Sequence, residues 1–297
     1  DVVISSYVKA ARNQLFFEIR WSRLFLDEAH YIRNSKGKTY QRLSKINAKH
    51  KWCLTGTPLQ NYIKDVSNLL LFIGFPVIDD LEEACQTHIL RRTKESVNLK
   101  LPSMSEENIV LNLTTKEKKS YKKVGSQIHD SCHLESLLRL RQFTIMPQMS
   151  IDSLRKKSGK RLVVCSHLNT KINAMVKSLV ESSSNEKPIV FCHFKKEIKY
   201  LQNSLTKMGL KSQIIDGSVS MIDRQKIISS HEDYHALIIQ LQAGSTGLNL
   251  QMFDTVYFTS PHWNPTHEQQ AIARVHRIGQ KKNIKVKRFI IDNTIES

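Results

Sequence analysis

Short apolar runs alternate with helical stretches along most of this chain of 297 residues. The runs Leu24–Leu26 and Trp52–Leu54 each stop at polar or glycine-containing residues, as short buried strands do. Lys38–Ile46 and Asp65–Ile73 have helical character, the latter with apolar residues three and four positions apart. Because strands that alternate with helices pair in parallel, the pattern predicts an α/β fold with parallel sheets.

Changes in this pattern divide the chain into three regions. Residues 1–97 carry the runs just described and a buried strand that we predict at Asp1–Tyr7. Residues 98–184 are predicted to be a helical insertion and linker, since apolar residues recur at helical spacing from Thr114 onwards and Glu181–Lys187 is polar. Residues 185–297 return to strands, predicted at Pro188–Cys192, Gln213–Ile215, Ala236–Leu241, Thr255–Phe258 and Ile284–Ile291.

The charge balance is strongly basic, with 45 Lys and Arg against 27 Asp and Glu and a formal net charge of +18. This charge predicts a polyanionic partner, although a lysine-rich, merely solvated surface would give the same count. Basic residues cluster in four segments, Lys36–Lys51, Lys116–Lys123, Arg155–Arg161 and Lys281–Arg288.

The five cysteines include no Cys-x-x-Cys pair, which argues against a zinc site and a disulfide framework and predicts a reducing compartment. No apolar run reaches the roughly 18 residues that a membrane span needs, and Asp1–Ser6 lacks the features of a signal peptide. We therefore expect neither membrane insertion nor secretion. Because the chain has no initiator methionine, we expect it to be a fragment or to have its true start upstream.

Two adjacent carboxylates, Asp27 and Glu28, directly follow the run Leu24–Leu26. They should lie at the carboxyl end of a strand, where open α/β sheets bind ligands. An aspartate there can hold Mg²⁺, usually through water, and the adjacent glutamate can polarise an attacking water molecule. An ordinary polar turn would explain the pair alone equally well.

Two further turns combine hydroxyl and glycine residues. Thr55-Gly56-Thr57-Pro58 follows a strand, and its hydroxyl side chains can hydrogen-bond to a neighbouring loop. Ala243–Leu250 follows another strand, and Gly244 and Gly247 would let its backbone approach phosphate oxygens closely. Taken alone, each segment is better explained as a plain turn.

Arg274 and Arg277 are one helical turn apart within Gln270–Gln280, so we expect them on one face of a helix. Such arginines can neutralise charge on a transferring phosphoryl group, which accelerates the reaction by roughly 10³–10⁵ where they act. A basic helix face on so basic a protein explains the arginines equally well, but the flanking Gln270 and Gln280 are less expected of a plain surface.

A phosphate-binding loop is absent from the sequence. The triplet Gly37-Lys38-Thr39 resembles the end of the pattern Gly-x-x-x-x-Gly-Lys-Thr, but Ile32 stands where the first glycine belongs. The triplet also follows the acidic pair instead of preceding it, and the chain contains no other Gly-Lys-Ser or Gly-Lys-Thr.

Taken in chain order, these segments resemble the motifs of the Swi/Snf-type ATPases of helicase superfamily two. The segments similar to motifs II, III, IV, V and VI are, respectively, Asp27–His30, Leu54–Asn61, Ile189–Phe194, Gln242–Leu250, and Trp263–Pro265 with Gln270–Gln280. Two more, Leu113–Tyr121 and Leu138–Gln142, resemble the flanks of the family's helical insertion. The resemblance therefore spans almost the whole chain.

This resemblance implies two RecA-like lobes, the first incomplete, that bind ATP and Mg²⁺. Asp27 would hold Mg²⁺ through water, Glu28 would activate the attacking water, and Arg274 and Arg277 would act on the phosphates. Further residues would bind ATP (Gly247 and Gln270), couple hydrolysis to movement (Thr55, Gly56 and Thr57) and contact DNA (Ser245, Thr246, Asn249, Lys281 and Lys282).

The chain departs from the family in three respects. The P-loop and the adenine-reading segment are expected before Asp1, so we expect this polypeptide alone to hydrolyse little or no ATP. Ser245 stands where the family commonly has glycine, a change that we expect to be tolerated. The cysteine pattern does not support the RING finger of the most similar subgroup, so we do not expect ubiquitin-ligase activity.

The implied function is that of an ATP-dependent DNA translocase or helicase-like remodelling ATPase, present as a portion without its P-loop. The alternative is a catalytically degenerate nucleic-acid-binding protein that keeps the fold. Expected partners are double-stranded DNA and, beyond it, chromatin, transcription or repair proteins. The expected location is the nucleus or another intracellular compartment that contains DNA, such as a viral replication site.

Overall fold

The protein is described by a computed structural model, which covers residues 1–56, 63–75, 80–92, 96–97, 99–127, 133–158, 169–182, 186–244 and 247–297. The chain forms two compact units, Asp1–Leu99 and Lys100–Ser297. No helix in these ranges combines the length and apolar character that crossing a bilayer requires.

The first unit contains two parallel strands among its described residues, β1 (Trp21–Asp27) and β2 (Ala48–Leu54). Its helices are α1 (Tyr7–Arg12), α2 (Leu15–Glu18), α3 (Lys38–Leu43), α4 (Ile63–Ile73) and α5 (Leu81–His88), with a 3₁₀ turn at Ala29–Ile32. Leu26, Ile32, Leu43, Leu69 and other apolar residues form its core. The helices predicted at Lys38–Ile46 and Asp65–Ile73 are thus confirmed as α3 and α4.

The prediction of a strand at Asp1–Tyr7 is wrong. Residues 1–6 have no regular structure and are exposed, and the Ser6 hydroxyl caps helix α1 by accepting a hydrogen bond from the Lys9 N–H (3.3 Å). The run Val2-Val3-Ile4 has strand propensity, but no strand among the described residues pairs with it. Without such pairing, propensity alone does not form a strand.

The second unit is built on six parallel strands in the order β3-β8-β7-β4-β6-β5, counted over its described residues. They are β3 (Met104–Leu111), β4 (Pro188–Cys192), β5 (Ser212–Ile215), β6 (Ala236–Gln240), β7 (Thr255–Phe258) and β8 (Ile284–Ile291). Five of these strands were predicted, and β3 was not. It lies within the region expected to be a helical insertion, yet it pairs with β8 along its whole length.

Helices surround this sheet, and its central strands are buried on both faces. They are α6 (Thr115–Gln127), α7 (His133–Ile145), α8 (Pro147–Ser158), α9 (Thr170–Val180), α10 (Lys195–Lys207), α11 (Met221–Ser229), α12 (Leu241–Gly244) and α13 (Pro265–Val275). Alternate residues of β4 enter two separate apolar clusters, Ile189 and Phe191 one, Val190 and Cys192 the other. This double burial is characteristic of parallel sheets in α/β proteins.

Candidate functional site

The carboxyl ends of β1 and β2 bring the acidic pair and the first threonine turn together. The strands pair in parallel with Asp27 opposite Leu54, so the next residues, Glu28 and Thr55, leave the sheet at the same edge. Gly56 is exposed beyond them, and Thr57 lies outside the described residues.

Glu28 has a left-handed backbone, with φ 50° and ψ 47°. A residue other than glycine pays about 1–3 kcal/mol for this conformation, and such strain concentrates at functional sites. The left-handed conformation of Glu28 turns the chain from β1 into the 3₁₀ turn Ala29–Ile32. The Asp27 Oδ1 atom accepts the Glu28 N–H (3.0 Å), and the Tyr7 hydroxyl donates to the Asp27 carbonyl. These two bonds hold the peptide group that precedes the strained residue.

His30 links the two strand ends. Its Nδ1 atom lies 3.3 Å from Glu28 Oε2 and 3.3 Å from the Thr55 hydroxyl oxygen. The imidazole is buried and stacks on Tyr31 with ring centroids 4.9 Å apart. Glu28 Oε2 is shielded from solvent and makes no hydrogen bond of normal geometry among the described residues. The Glu28 side chain as a whole is 35% exposed, so its other carboxylate oxygen is the one open to a water molecule.

The donor set at this edge fits a magnesium ion held largely through water. Asp27 is exposed at the strand end, and Glu28 follows it, whereas the described residues contain no group of three or more potential metal ligands. Mg²⁺ is commonly bound by one or two carboxylates together with waters and substrate phosphates. Burial raises the pKa of the nearby Cys53 thiol to about 11, although Lys51 opposes the change, so Cys53 is not a thiolate ligand at neutral pH.

The glycine loop after β6 departs partly from expectation. Gly244 was expected to approach a ligand, but it packs on the core, since a Cβ atom there would lie 2.9 Å from Ile239 Cγ2 and 3.0 Å from Phe191 Cε1. Gly247 has φ +60° with open space around its Cα, as a backbone facing a ligand requires. Asn249 is exposed, and Ser245 and Thr246 lie outside the described residues.

Arg224, which the sequence pattern did not single out, supports this loop. Its buried guanidinium donates to the carbonyls of Ala243 (3.3 Å), Asp216 (3.0 Å) and Val219 (3.0 Å). The sequence feature that could have indicated this role is the position of Arg224 on the apolar face of α11, three and four residues before Ile227 and Ile228.

Arg274 and Arg277 do not share a helix face, which corrects the prediction. Helix α13 begins at Pro265, after the Asn264 side chain accepts the Thr266 N–H, and it ends at Val275. Arg274 is therefore in the last helical turn and half-buried, whereas Arg277 lies beyond the helix and is exposed. Gln270 is half-buried on α13. The chain leaves the helix at His276, with φ −89° and ψ 77°, and turns again at Gly279, whose φ is +97°.

Gln280 has a structural role that the sequence did not reveal. Its buried Nε2 donates to the carbonyls of Gln251 (2.9 Å), Phe253 (3.0 Å) and Val275 (3.3 Å). Its Oε1 accepts the N–H groups of Lys281 and Lys282, both at 2.9 Å. Of the two lysines predicted to contact DNA, Lys281 is exposed and Lys282 forms an ion pair with Asp254 (2.9 Å).

A buried polar network at the ends of β4 and β7 was also missed. Arg141 of α7 donates to the Pro261 carbonyl (2.5 Å), contacts His193 Nε2 (2.9 Å) and lies over the Trp263 ring (4.8 Å). Burial, followed by the charge of Arg141, lowers the pKa of His193 to about 3, so this histidine is neutral. The sequence feature that could have indicated this network is the position of Arg141, which follows Leu138 and Leu137 by three and four residues and so lies on the apolar side of its helix.

Lys171 and Glu296 form a buried ion pair in the same network. Lys171 Nζ lies 2.6 Å from Glu296 Oε1, and this carboxylate also accepts hydrogen bonds from Thr144 (2.9 Å) and Ser260 (2.7 Å). The network therefore fastens helices α7 and α9 and the last residues of the chain to the strand ends.

Comparison with known proteins identifies relatives along the whole chain. Residues 1–82 and 76–175 match the SNF2-related domain, and residues 170–279 match the helicase conserved C-terminal domain. The Chromodomain-helicase-DNA-binding protein 1-like of Danio rerio is 27% identical over 331 residues, 99% of this chain and 32% of that protein. The ISWI chromatin-remodeling complex ATPase ISW1 of Saccharomyces cerevisiae is 27% identical over 343 residues, covering 100% of this chain and 30% of that protein.

A solved structure shares the fold. The Sulfolobus solfataricus SWI2/SNF2 ATPase core in complex with dsDNA superposes with a TM-score of 0.52 at 24% identity, covering 98% of this chain and 68% of that one. The chain spans about a third of the length of the curated relatives named above.

Proposed function

The chain belongs to the SNF2-type ATPases of helicase superfamily two, and on this premise we propose that it is the motif II-to-VI portion of an ATP-dependent DNA translocase or remodeller. The expected α/β fold of RecA-like lobes is confirmed. The observation that carries the proposal is the geometry of Glu28, a strained glutamate whose shielded oxygen lies 3.3 Å from a buried histidine.

In the proposed reaction, Glu28 accepts a hydrogen bond from the attacking water and polarises it. His30 Nδ1 lies beside both the Glu28 carboxylate and the Thr55 hydroxyl, and it would connect the glutamate to the threonine turn Thr55-Gly56-Thr57 that would couple hydrolysis to movement. Asp27 would hold Mg²⁺ through water. Bound Mg²⁺ supplies neutralisation of phosphate charge.

The second unit contributes the remaining groups of the proposal. Arg274 and Arg277 neutralise charge that develops on the phosphoryl group. Gln270 and Gly247 contact the nucleotide, and Arg224 keeps the loop before Gly247 in place. The DNA-contacting residues would be Ser245, Thr246, Asn249, Lys281 and Lys282.

The proposed partner is duplex DNA, held through its backbone, and the proposed setting is chromatin in the nucleus or another compartment that contains DNA. Two observations support this: the net charge of +18, and relatives whose names describe chromatin remodelling. Backbone contacts of this kind are independent of sequence and weaken steeply with salt.

The test is DNA-stimulated ATP hydrolysis by the natural, full-length gene product and its Glu28→Gln variant. We expect turnover to fall about 10²–10⁴-fold, because the base is lost, with ATP affinity changed less than about twofold. Glu18→Gln, an exposed carboxylate of the same unit, serves as the matched control. Unchanged turnover in Glu28→Gln contradicts the assigned role. A parent protein that binds DNA but hydrolyses no ATP supports the degenerate alternative.

A further inference from the structure

Helix α6 exposes a continuous band of lysines. Lys116, Lys118, Lys119, Lys122 and Lys123 are all exposed, and the one acidic residue of the helix, Glu117, is buried. At 3.6 residues per turn, the five lysines occupy roughly 160° of the helix circumference. The other residues within this lysine band are Thr115 and Ser126, so the band contains no apolar side chain.

These lysines differ from several other exposed lysines of the same unit. Within the described residues, none of the five lies in ion-pair distance of a carboxylate, whereas Lys177, Lys195, Lys196, Lys226 and Lys285 are each paired with an Asp or Glu. Like charges three and four positions apart destabilise a helix. The lysine band therefore leaves a concentrated, uncompensated positive charge on the surface.

The opposite face of α6 holds the lysine band in place. Glu117 Oε2 accepts the Thr114 N–H (2.9 Å) and the Thr170 hydroxyl (2.6 Å), so it joins the first turns of α6 and α9. Val124 is fully buried, and Tyr121 packs edge-on against Phe143 at 5.5 Å. The lysines are thus presented on a fixed convex surface, whose ordering cost is already met by folding.

We propose that the lysine band is a contact surface for the phosphate backbone of duplex DNA, additional to the loops at the strand ends. The proposal rests on the proposed function in assuming that DNA is the partner. Lys116 and Lys123 are separated by about 10 Å along the helix axis. Duplex DNA carries one charge per roughly 1.7 Å, so several phosphates lie within reach of such a row. Because the lysine band has no apolar anchor and no arginine, asparagine or glutamine, we expect an electrostatic contact with the phosphates and little recognition of base edges.

The test compares DNA affinity of the full chain and its variants across a range of salt concentrations, by fluorescence anisotropy with a labelled duplex and no nucleotide. The variant Lys116→Gln/Lys119→Gln/Lys123→Gln removes three charges while keeping good helix formers. We expect the slope of log affinity against log salt to fall by about 2–3, and low-salt affinity to fall about 10–100-fold. Lys177 is an exposed lysine of α9 that is paired with Glu181, and the control variant Lys177→Gln should change neither the slope nor the low-salt affinity.

The outcomes separate this proposal from the proposed function. If Lys281→Gln weakens binding but the triple variant binds like the parent, the lysine band is not a DNA surface, although DNA binding itself stands. If the parent binds no duplex, both the lysine-band proposal and the assigned DNA partner fall. The same variants are also measured with a labelled single-stranded RNA. If the triple variant keeps the parent's affinity for the duplex and loses affinity only for this RNA, the proposal is also overturned. Should that variant misfold by circular dichroism, Lys118→Gln/Lys122→Gln tests the same surface with two charges removed.

Discussion

At the scale of single residues, the turn after α13 depends on two adjacent residues, Gly279 for its backbone conformation and Gln280 for its side-chain hydrogen bonds. Gly279 adopts φ +97°, and a Cβ atom there would lie 2.8 Å from Gln251 Oε1. Gln280 then fills the space inside the turn and bonds to backbone on both sides of it. The exposed position of Arg277 follows from this turn and not from a helical face.

Replacing Gln280 with Ala should destabilise the second unit by about 2–4 kcal/mol. The change leaves buried carbonyl and N–H groups without partners, and each such loss costs about 1–3 kcal/mol, partly relieved by water. Urea unfolding followed by circular dichroism measures the effect. Gln269→Ala, at an exposed position of α13, is the matched control and should stay within about 0.5 kcal/mol of the parent. Equal stability of the two variants would contradict the structural role of Gln280.

Residue identity predicted which side chains lie at strand ends, but not their geometry. Asp27 is the last residue of β1 and Glu28 follows it, as the apolar run before them indicated, although Leu26 is the only buried residue of this strand. The left-handed backbone of Glu28 could not be predicted from the sequence, because a glutamate after an apolar run is equally compatible with an ordinary strand end. The structural role of Gln280 was hidden for a related reason, because its partners are backbone atoms of other loops.

At the scale of elements, Glu117 is a shared cap for α6 and α9. Its carboxylate accepts hydrogen bonds from the backbone and side chain of both Thr114 and Thr170. Burial by itself raises the pKa of Glu117, but the bonds from Thr170 and Thr114 outweigh burial, and the pKa is lowered from its ordinary value of 4.5. The folded state therefore favours the charged carboxylate.

The variant Glu117→Gln should lose about 1–3 kcal/mol of unfolding free energy at pH 7, because hydrogen bonds to a charged acceptor are lost. A lowered folded pKa gives stability that is present above the unfolded pKa, near 4.5, and is lost as pH falls through the lower folded value. The difference between parent and variant should therefore shrink below about pH 4.5. Urea unfolding at pH 7, 5 and 3.5 measures it. A difference that is constant with pH would contradict the role of the charge.

Elements were predicted well where burial imposes a pattern and poorly where it does not. Strands β4, β6 and β7 have every or nearly every side chain buried, and their apolar runs predicted them. Strand β3 has mostly exposed side chains and contains Glu106 and Glu107, so its sequence carries no such run. It forms through pairing with β8, a tertiary contact that local pattern cannot report.

At the scale of the whole molecule, the two units differ in how completely their sheets are covered. The six described strands of the second unit have central members buried on both faces. In the first unit, Phe25 and Trp52 stack at 6.2 Å on one face of the β1–β2 pair and remain 57% and 53% exposed. Parallel sheets are normally buried on both faces, and a pair of strands alone is marginally stable.

The first unit should consequently unfold before the second. Amide hydrogen exchange followed by mass spectrometry should show peptides of β1 and β2 exchanging at least about tenfold faster than peptides of β4, β6 and β7, because local opening exposes little additional apolar surface in the first unit. Urea should give two transitions, with the first reported by Trp52 and Trp21 fluorescence. Phe25→Ser should leave exchange in the second unit unchanged and serves as the control for independence. A single cooperative transition, with equal protection in both sets of strands, would contradict the division into units of unequal stability.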